Sequence, residues 1–548
     1  MRELRLLPAA LLAWVVVFSV ILTRGMVVAM VLVGAVAVVA LILRQSGQAV
    51  TTAAVGMATT VVARMRVGQA ERFIFPDPLT GTVGSFKQLE GDLAILRLEV
   101  EGYPALVPVL LRGDHEVPHS AQVVVEGHLK DSDRPGVGTV LVTADHLEVV
   151  GEATGYAGWV NQVRDAFQES VLATVGPSSQ GLLPGMVLGD TRLQDTVEEQ
   201  TYIDTGLSHL SAVSGSNVSI TTTSVMVVLA LLTIGPRIQL AGAAFALVVF
   251  VSLVGTEPSV LRAAVTGMVG LLAVVNSRRM EPVHGLCLAV IGLLLWDPDL
   301  AVQYGFILSV VATAGIVMLF PLLYRALART GWPDILVRAV AVAVAADVVT
   351  MPVIAVMAGQ VSIVAVLANV LVAPAVAPVT VVGLVAVLLT LAPGGLEMLA
   401  LRICEPFTWW IHQVGSVCQE LPISTVGTGG GLLGTLWVLT ACCWIIVGIH
   451  RGLARVMAVL FTVLLVSHWY GGRLPPRVDP VDVGYVVVDK LPATVPPGTG
   501  LIIVTDPDGT SADRPTATRE GIPVMYPNRD GEVTLHTDGS QHAADGRF

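Results

Sequence analysis

Between residues 205 and 470 this chain carries only 19 charged side chains in 266 residues, and they fall between apolar runs long enough to cross a bilayer. A helix spans the hydrocarbon with about 20 apolar residues, and no soluble core could absorb so many such runs. Over all 548 residues the charged share is 13%, about half the ordinary fraction, with a mean hydropathy of +0.75. A purely soluble enzyme is thereby excluded. Five cysteines and the lack of a glycine repeat exclude disulfide-framework and collagen-like chains as well.

The net charge of −11 is unevenly spread. Residues 71–150 hold six basic and thirteen acidic residues, and residues 151–204 hold two and eight. Acidic, water-exposed chain therefore interrupts two hydrophobic blocks. In the first block Leu6–Thr23 follows Arg2 and Arg5 as a signal sequence would, but no small-residue cleavage site comes before Arg24. It reads as a retained signal-anchor span, followed by Gly25–Leu43 and by a weaker, threonine-rich Val50–Ala63. In the second block ten spans are expected, starting near 217, 239, 258, 283, 303, 339, 361, 376, 430 and 452. The span near 361 is short and holds Asn369 and Pro374, which suits a re-entrant segment. The stretch 394–428, with Trp409, Trp410 and His412, reads as an amphipathic element outside the membrane. Arg237, then Arg278 and Arg279, then Arg325, Arg329 and Arg338, then Arg451 and Arg455 occupy alternate loops. The positive-inside rule makes those loops cytoplasmic, which calls for three spans before the acidic insert and thirteen in all.

The insert changes period. Ala94–Val100, Val123–Gly127 and Val140–Val142 are short, β-rich and partly alternating, with turn formers such as Pro78, Gly91 and Gly136 between them. About five strands in 80 residues suit a small OB-type barrel, and a β-sandwich fragment fits nearly as well. Its acidity and few aromatics (Phe73, Phe75, Phe86, Tyr103) favour a structural or gating role over strong nucleic-acid binding. Residues 155–204 then show an amphipathic helical pattern through Trp159, Val163, Phe167 and Val171, followed by a Gly181–Asp190 run too short and glycine-rich to span. The expected fold is a predominantly α-helical polytopic membrane protein with an extracytoplasmic OB-like β-barrel insert and a short C-terminal β-rich tail. Its expected divisions are 1–70 (N-terminal transmembrane helices), 71–153 (OB-like domain), 154–216 (amphipathic and re-entrant helices), 217–470 (channel domain) and 471–548 (extracytoplasmic tail).

Several polar residues lie in costly places. Arg262 sits one turn inside an apolar helix, where a charge costs about 3 kcal/mol. Glu257 is a plausible partner for it, Asp347 in mid-span is another, and a cationic lining that attracts phosphate is the functional alternative. Asp347 could equally be a proton- or cation-responsive pore group. His209, with Ser208, Ser211, Ser214 and Ser216, invites a hydrolase reading with Asp190 or Asp204 as orienting acid. No Gly-x-Ser-x-Gly elbow surrounds these serines, however, and small hydroxyl residues commonly serve helix packing. Asn217 reads first as a helix cap. Cys287, Cys442 and Cys443 read as packing residues. Cys404 and Cys418 could pair only if a hairpin brought them together, since fourteen residues of helix place them about 21 Å apart.

The strings Leu183–Asp190, Gly206–Val218 (GLSHLSAVSGSNV), Pro258–Ala263 (PSVLRA), Gly305–Ser309 (GFILS), and Ala368-Asn369 with Pro374 resemble, in order and spacing, those of the competence DNA-uptake channels, the ComEC family. The resemblance covers about residues 20–470. It implies a multi-pass protein of the bacterial plasma membrane, N-terminus cytoplasmic, insert and tail extracytoplasmic, that conducts single-stranded DNA inward during natural transformation. It also implies as partners the lipid bilayer, a cytoplasmic helicase motor, a DNA receptor and a separate nuclease. Asp190, His209, Ser211, Ser214, Gly215, Asn217, Arg262, Asp347 and Asn369 would line or shape the path. The tail departs from the family. Val481–Asp489 resembles the opening strand of its metallo-β-lactamase-like domain, but no His-x-His-x-Asp-His cluster follows, and the tail's histidines are His536 and His542. Such a dinuclear zinc site takes more ligands. The expectation is therefore a vestige of a nuclease domain with no metal, no cofactor and no catalytic residues. Two rival functions remain at this point: a secondary transporter of a small solute, which repeated halves would signal, and a degenerate, non-transporting envelope homologue.

Overall fold

The computed structural model describes residues 4–88, 93–113, 117–211, 213, 215–255, 257–275, 281–421, 424–429, 431–453, 455–457, 459–460, 463, 484–491, 499–506, 514–518, 522–531, 533–536 and 541–543. The chain divides into two compact units, Met1–Leu460 and Phe461–Phe548.

Three helices open the first unit: α1 (Leu7–Thr23), α2 (Val27–Ile42) and α3 (Ser46–Arg72). The threonines that weaken the third span on paper do not weaken the helix. The Thr52, Thr59 and Thr60 hydroxyls donate to carbonyls four residues earlier, so they are buried and satisfied. As a result α3 extends well beyond the expected 50–63. The insert is a closed five-stranded barrel of β1 (Leu79–Gln88), β2 (Leu93–Glu99), β3 (Leu106–Arg112), β4 (Gln122–Asp131) and β5 (Val140–Gly151), in the order β1-β2-β3-β5-β4. Closure of β1 on β4 and the parallel β3–β5 pair give the OB-type arrangement rather than a sandwich. Inward Val83, Leu96, Leu98, Val107, Val109 and Val123 fill it. Phe73, Phe75 and Tyr103 pack on one another with ring centroids 4.9–5.2 Å apart, so these three aromatics are engaged in the barrel's own core.

Next come four helices, α4 (Gly155–Thr174), α5 (Pro177–Gln180), α6 (Leu182–Leu188) and α7 (Thr196–Asp204). In α4 the expected face splits: Val163, Phe167 and Val171 are buried, whereas Trp159 and Leu172 are exposed. The remaining helices are α8 (Gly215–Leu231), α9 (Pro236–Val254), α10 (Pro258–Val275), α11 (Pro282–Trp296), α12 (Tyr304–Leu327), α13 (Asp334–Ala358), α14 (Ala365–Leu389), α15 (Leu396–Gln419) and α16 (Gly431–His450). By length and composition, helices over 236–254, 304–330, 334–358, 365–389 and 433–450 can cross a membrane, and four shorter apolar helices accompany them. This is a membrane protein.

The two spans expected near 361 and 376 are one helix, α14, which runs through Pro374 and Pro378. Residues 360–362 before it form a short strand, β6 (Gln360–Ser362), paired antiparallel with β7 (Thr425–Gly427). The expected amphipathic element is the single helix α15, packed along α14 over a shared core that includes Val379, Val387, Leu401, Cys404 and Ile411. Cys404 and Cys418 both lie on this one helix, buried and free, so the hairpin needed to pair them is not formed.

The second unit exceeds the three strands expected of it. A four-stranded sheet has the order β10 (Thr516–Ala517), β11 (Pro523–Met525), β9 (Leu501–Val504), β8 (Tyr485–Val488), with β8, β9 and β11 mutually parallel. After a helical turn, α17 (Pro527–Asp530), β12 (Val533–Leu535) pairs with β13 (Gln541–Ala543). Val481 and Asp508 lie outside the described residues.

Candidate functional site

The second motif string folds against the first, which forms α6, a helix buried along its whole length. Its C-terminus closes on Gly189, and Asn217 donates from Nδ2 to the Met186 carbonyl at 2.8 Å. Asn217 is thus a cap as the sequence suggests, but for a helix 31 residues away rather than for its own. Asp190 follows, and Arg192 grips both its carboxylate oxygens at 2.7–3.1 Å while also reaching Asp165 at 3.0 Å. Burial works to raise the Asp190 carboxyl, but the Arg192 hydrogen bonds and charge outweigh it and hold the group below the usual carboxylate range. Asp190 is an ionised structural clasp.

Gly206 is the hub of the second string. It adopts φ +69°, which favours glycine, and a methyl group there would come within 2.6 Å of Ala365 Cβ at the start of α14. Its carbonyl accepts from Asn369 Nδ2 at 3.3 Å and from the His209 ring. His209 keeps accessible surface although protein surrounds the site, and dehydration lowers its proton affinity below that of an ordinary histidine. Neither Asp190 nor Asp204 is bonded to its ring among the described residues, so the hydrolase arrangement is not assembled there. Asp204 accepts from Gln200 and Gln419 instead. Ser211 Oγ accepts from Gln194 at 2.9 Å. Ser214 lies outside the described residues.

The third and fourth strings supply the charge. Arg262 is buried, donates from Nε to Ser309 Oγ of α12 at 2.8 Å, and lies so near Gly215 that a methyl group there would be 2.7 Å from its Nη2. Neither suggested partner reaches it. Glu257 faces Arg164 and Arg97, and Asp347 belongs to a separate core of α12, α13 and α16. Among the described residues no carboxylate pairs with Arg262. Ser259 Oγ donates to the Val213 carbonyl at 2.9 Å, which seats α10 against the second string. Arg192 and Gln194 join the site without having been singled out, and Ser309, known only as the end of the fourth string, gains a role as the partner of Arg262.

Arg164 donates to the Leu253 and Val254 carbonyls, capping α9. The barrel docks through Lys87 to Glu199, through Asn161 to the His119 carbonyl, and through Arg24 to the Gly136 and Val137 carbonyls, at 2.8 Å each for Arg24. It is held on two sides.

A family model described as Competence protein matches residues 186–466, just over half of the chain. ComE operon protein 3 of Bacillus subtilis (strain 168) is 30% identical over 142 residues, 26% of this chain and 18% of that protein, so less than a fifth of the relative's length is matched. No solved structure matches. The matched region contains the Gly206–Val218, Pro258–Ala263, Gly305–Ser309 and Asn369 strings, and on that ground the chain belongs to the ComEC family of competence proteins.

Proposed function

We propose that the helical body of this protein carries single-stranded DNA inward across the bacterial plasma membrane during natural transformation, without a catalytic step of its own. The observation that carries the reading is Arg262: a buried guanidinium at the meeting of α8, α10 and α12, with Ser309 as its hydrogen-bond partner and no carboxylate counter-charge among the described residues. A buried unpaired cation is expensive, and a passing phosphate would supply the missing charge. His209, accessible and held by Gly206, would contact the strand as a neutral group. Family membership supports the same reading. The arginine alternation supports a cytoplasmic N-terminus with barrel and tail outside, and the partners are the DNA strand, lipid, a cytoplasmic motor, a receptor and a separate nuclease.

The test is a clean deletion complemented with wild type, Arg262→Ala, Arg262→Lys or His209→Ala, scored for transformation and for internalised labelled DNA. Both alanine variants are expected to lower internalisation at unchanged membrane abundance. Wild-type uptake in both would refute their place in the path, and no defect in the deletion strain would refute the function.

A further inference from the structure

Asp347 stands apart from that path. It lies midway along α13, in a stretch from Ala339 to Ala358 that is apolar apart from Asp347 itself and Thr350. Its Oδ2 is buried with no hydrogen-bond partner. The nearest side-chain hydroxyl on its own helix, Thr350, is committed to the backbone, donating to the Ala346 and Asp347 carbonyls at 3.0 and 3.1 Å. The elements packed on α13 offer no cation here. From α16 comes Cys442, whose Sγ lies 4.0 Å from the Sδ of Met351, one turn along α13 from Asp347, with Cys443 beside it. Helix α14 and strand β6 carry no titratable residue. Those of α12 are Tyr304, Tyr324 and Arg325, at its two ends, and those of α13 itself, Asp334 and Arg338, bind each other in its first turns.

Among the described residues, an ionised carboxylate in that setting has neither a counter-ion nor a hydrogen-bond donor, and leaving a buried charge uncompensated is costly. The surroundings are also built to respond. Pro352 leaves the Val348 carbonyl, one residue past Asp347, without its helical donor. On the other side Gly315 of α12 brings the backbones together, since a methyl group there would lie 2.5 Å from the Ala345 carbonyl oxygen. One flank of Asp347 is rigid and the other interrupted.

We propose that Asp347 is a reversible proton-binding site whose occupancy sets the packing of α13 against α16. Uptake of a proton converts the carboxylate to a neutral acid that fits the apolar contact with Cys442 and Met351. Loss of the proton leaves a bare charge, which the structure relieves by opening that contact toward water. The inference does not rest on DNA conduction.

Full-length protein in lipid nanodiscs would be stepped between acid and alkaline buffer and read by infrared difference spectroscopy. Once the Asp347→Asn difference spectrum, which carries Asp299 and the other acids, is subtracted, the C=O band of a protonated carboxylic acid is expected to remain for wild type and, at a shifted position, for Asp347→Glu. A fluorophore on Cys443, the exposed cysteine, gives the second readout: its emission should follow the step in wild type and be flat in Asp347→Asn. Identical acid bands in wild type and Asp347→Asn would overturn the proposal, as would a subtracted band displaced by added Na⁺, which would make the site a cation site. A remaining band with an unchanged fluorescence response would overturn the link to α16.

Discussion

The clasp between the barrel and the helices predicts a pH dependence with a definite sign. The β4–β5 loop inserts beside the 3₁₀ turn Pro298–Val302, where Asp299 Oδ1 accepts the Val137 N–H and Arg24 holds the two neighbouring carbonyls. Burial pushes the Asp299 carboxyl up from 3.8 to about 6; Asp297 adds to this, while the Val137 N–H, Arg24 and Arg97 oppose it. An acid whose pKa is raised on docking favours docking when protonated. Its contribution is complete below about 3.8 and is lost as pH rises through about 6. Two pKa units correspond to about 3 kcal/mol, and partial exposure of Asp299 makes that an upper bound. Asp299→Asn keeps the acceptor and removes the charge. It should therefore tighten the clasp at about pH 8, by roughly 1–3 kcal/mol, and leave it unchanged at about pH 4. Hydrogen exchange of peptides covering 133–139, in full-length protein and corrected for intrinsic rates, measures the opening. Wild-type protection that rises with pH, or Asp299→Asn exchanging faster than wild type at alkaline pH, would refute the reasoning.

Other consequences are simpler. Gly206→Ala forces an L-residue to φ +69° and a clash with Ala365, at a cost of roughly 1–3 kcal/mol for the strained backbone alone, read as a lower thermal midpoint in detergent. Asn217→Ala strips the α6 cap and should cost about 1–3 kcal/mol by leaving the Met186 carbonyl buried; Asn217→Asp, which cannot donate there when ionised, should be no better. For topology, an introduced cysteine near Gly136, at exposed Arg134, should label from outside intact cells while one beside Arg329 stays protected until lysis, and the reverse pattern would refute the orientation.

Periodicity and hydropathy carry over to the structure where an element's partners are close in sequence. The barrel strands and the first two spans were legible for that reason. The region 360–389 was split into two spans because Asn369 and Pro374 read as a break, yet Asn369 bonds to the Ala365 and Gly206 carbonyls, and α14 persists. Helix α15 packs along α14, and the β6–β7 pair sets Thr425 opposite Ser362. Long-range contacts were beyond reach: nothing near Asp299 in sequence announces Val137, 162 residues away, and nothing near Asn217 announces Met186.

Arg262 allows the structural and conducting roles to be separated by one substitution. A guanidinium that served only to knit α10 to α12 would be a poor device, because its charge costs about 3 kcal/mol within an apolar segment and one charged hydrogen bond returns about 1.5–3. Replacing buried polar charge by an apolar side chain of similar volume is often neutral or stabilising. Arg262→Met keeps the length of the side chain and abandons a single serine hydroxyl. The expected outcome is a protein at least as stable as wild type, at normal abundance, that no longer internalises DNA. A fall in the thermal midpoint with uptake retained per molecule would instead make Arg262 a strut, and would leave the interior without the cation on which the conducting role depends.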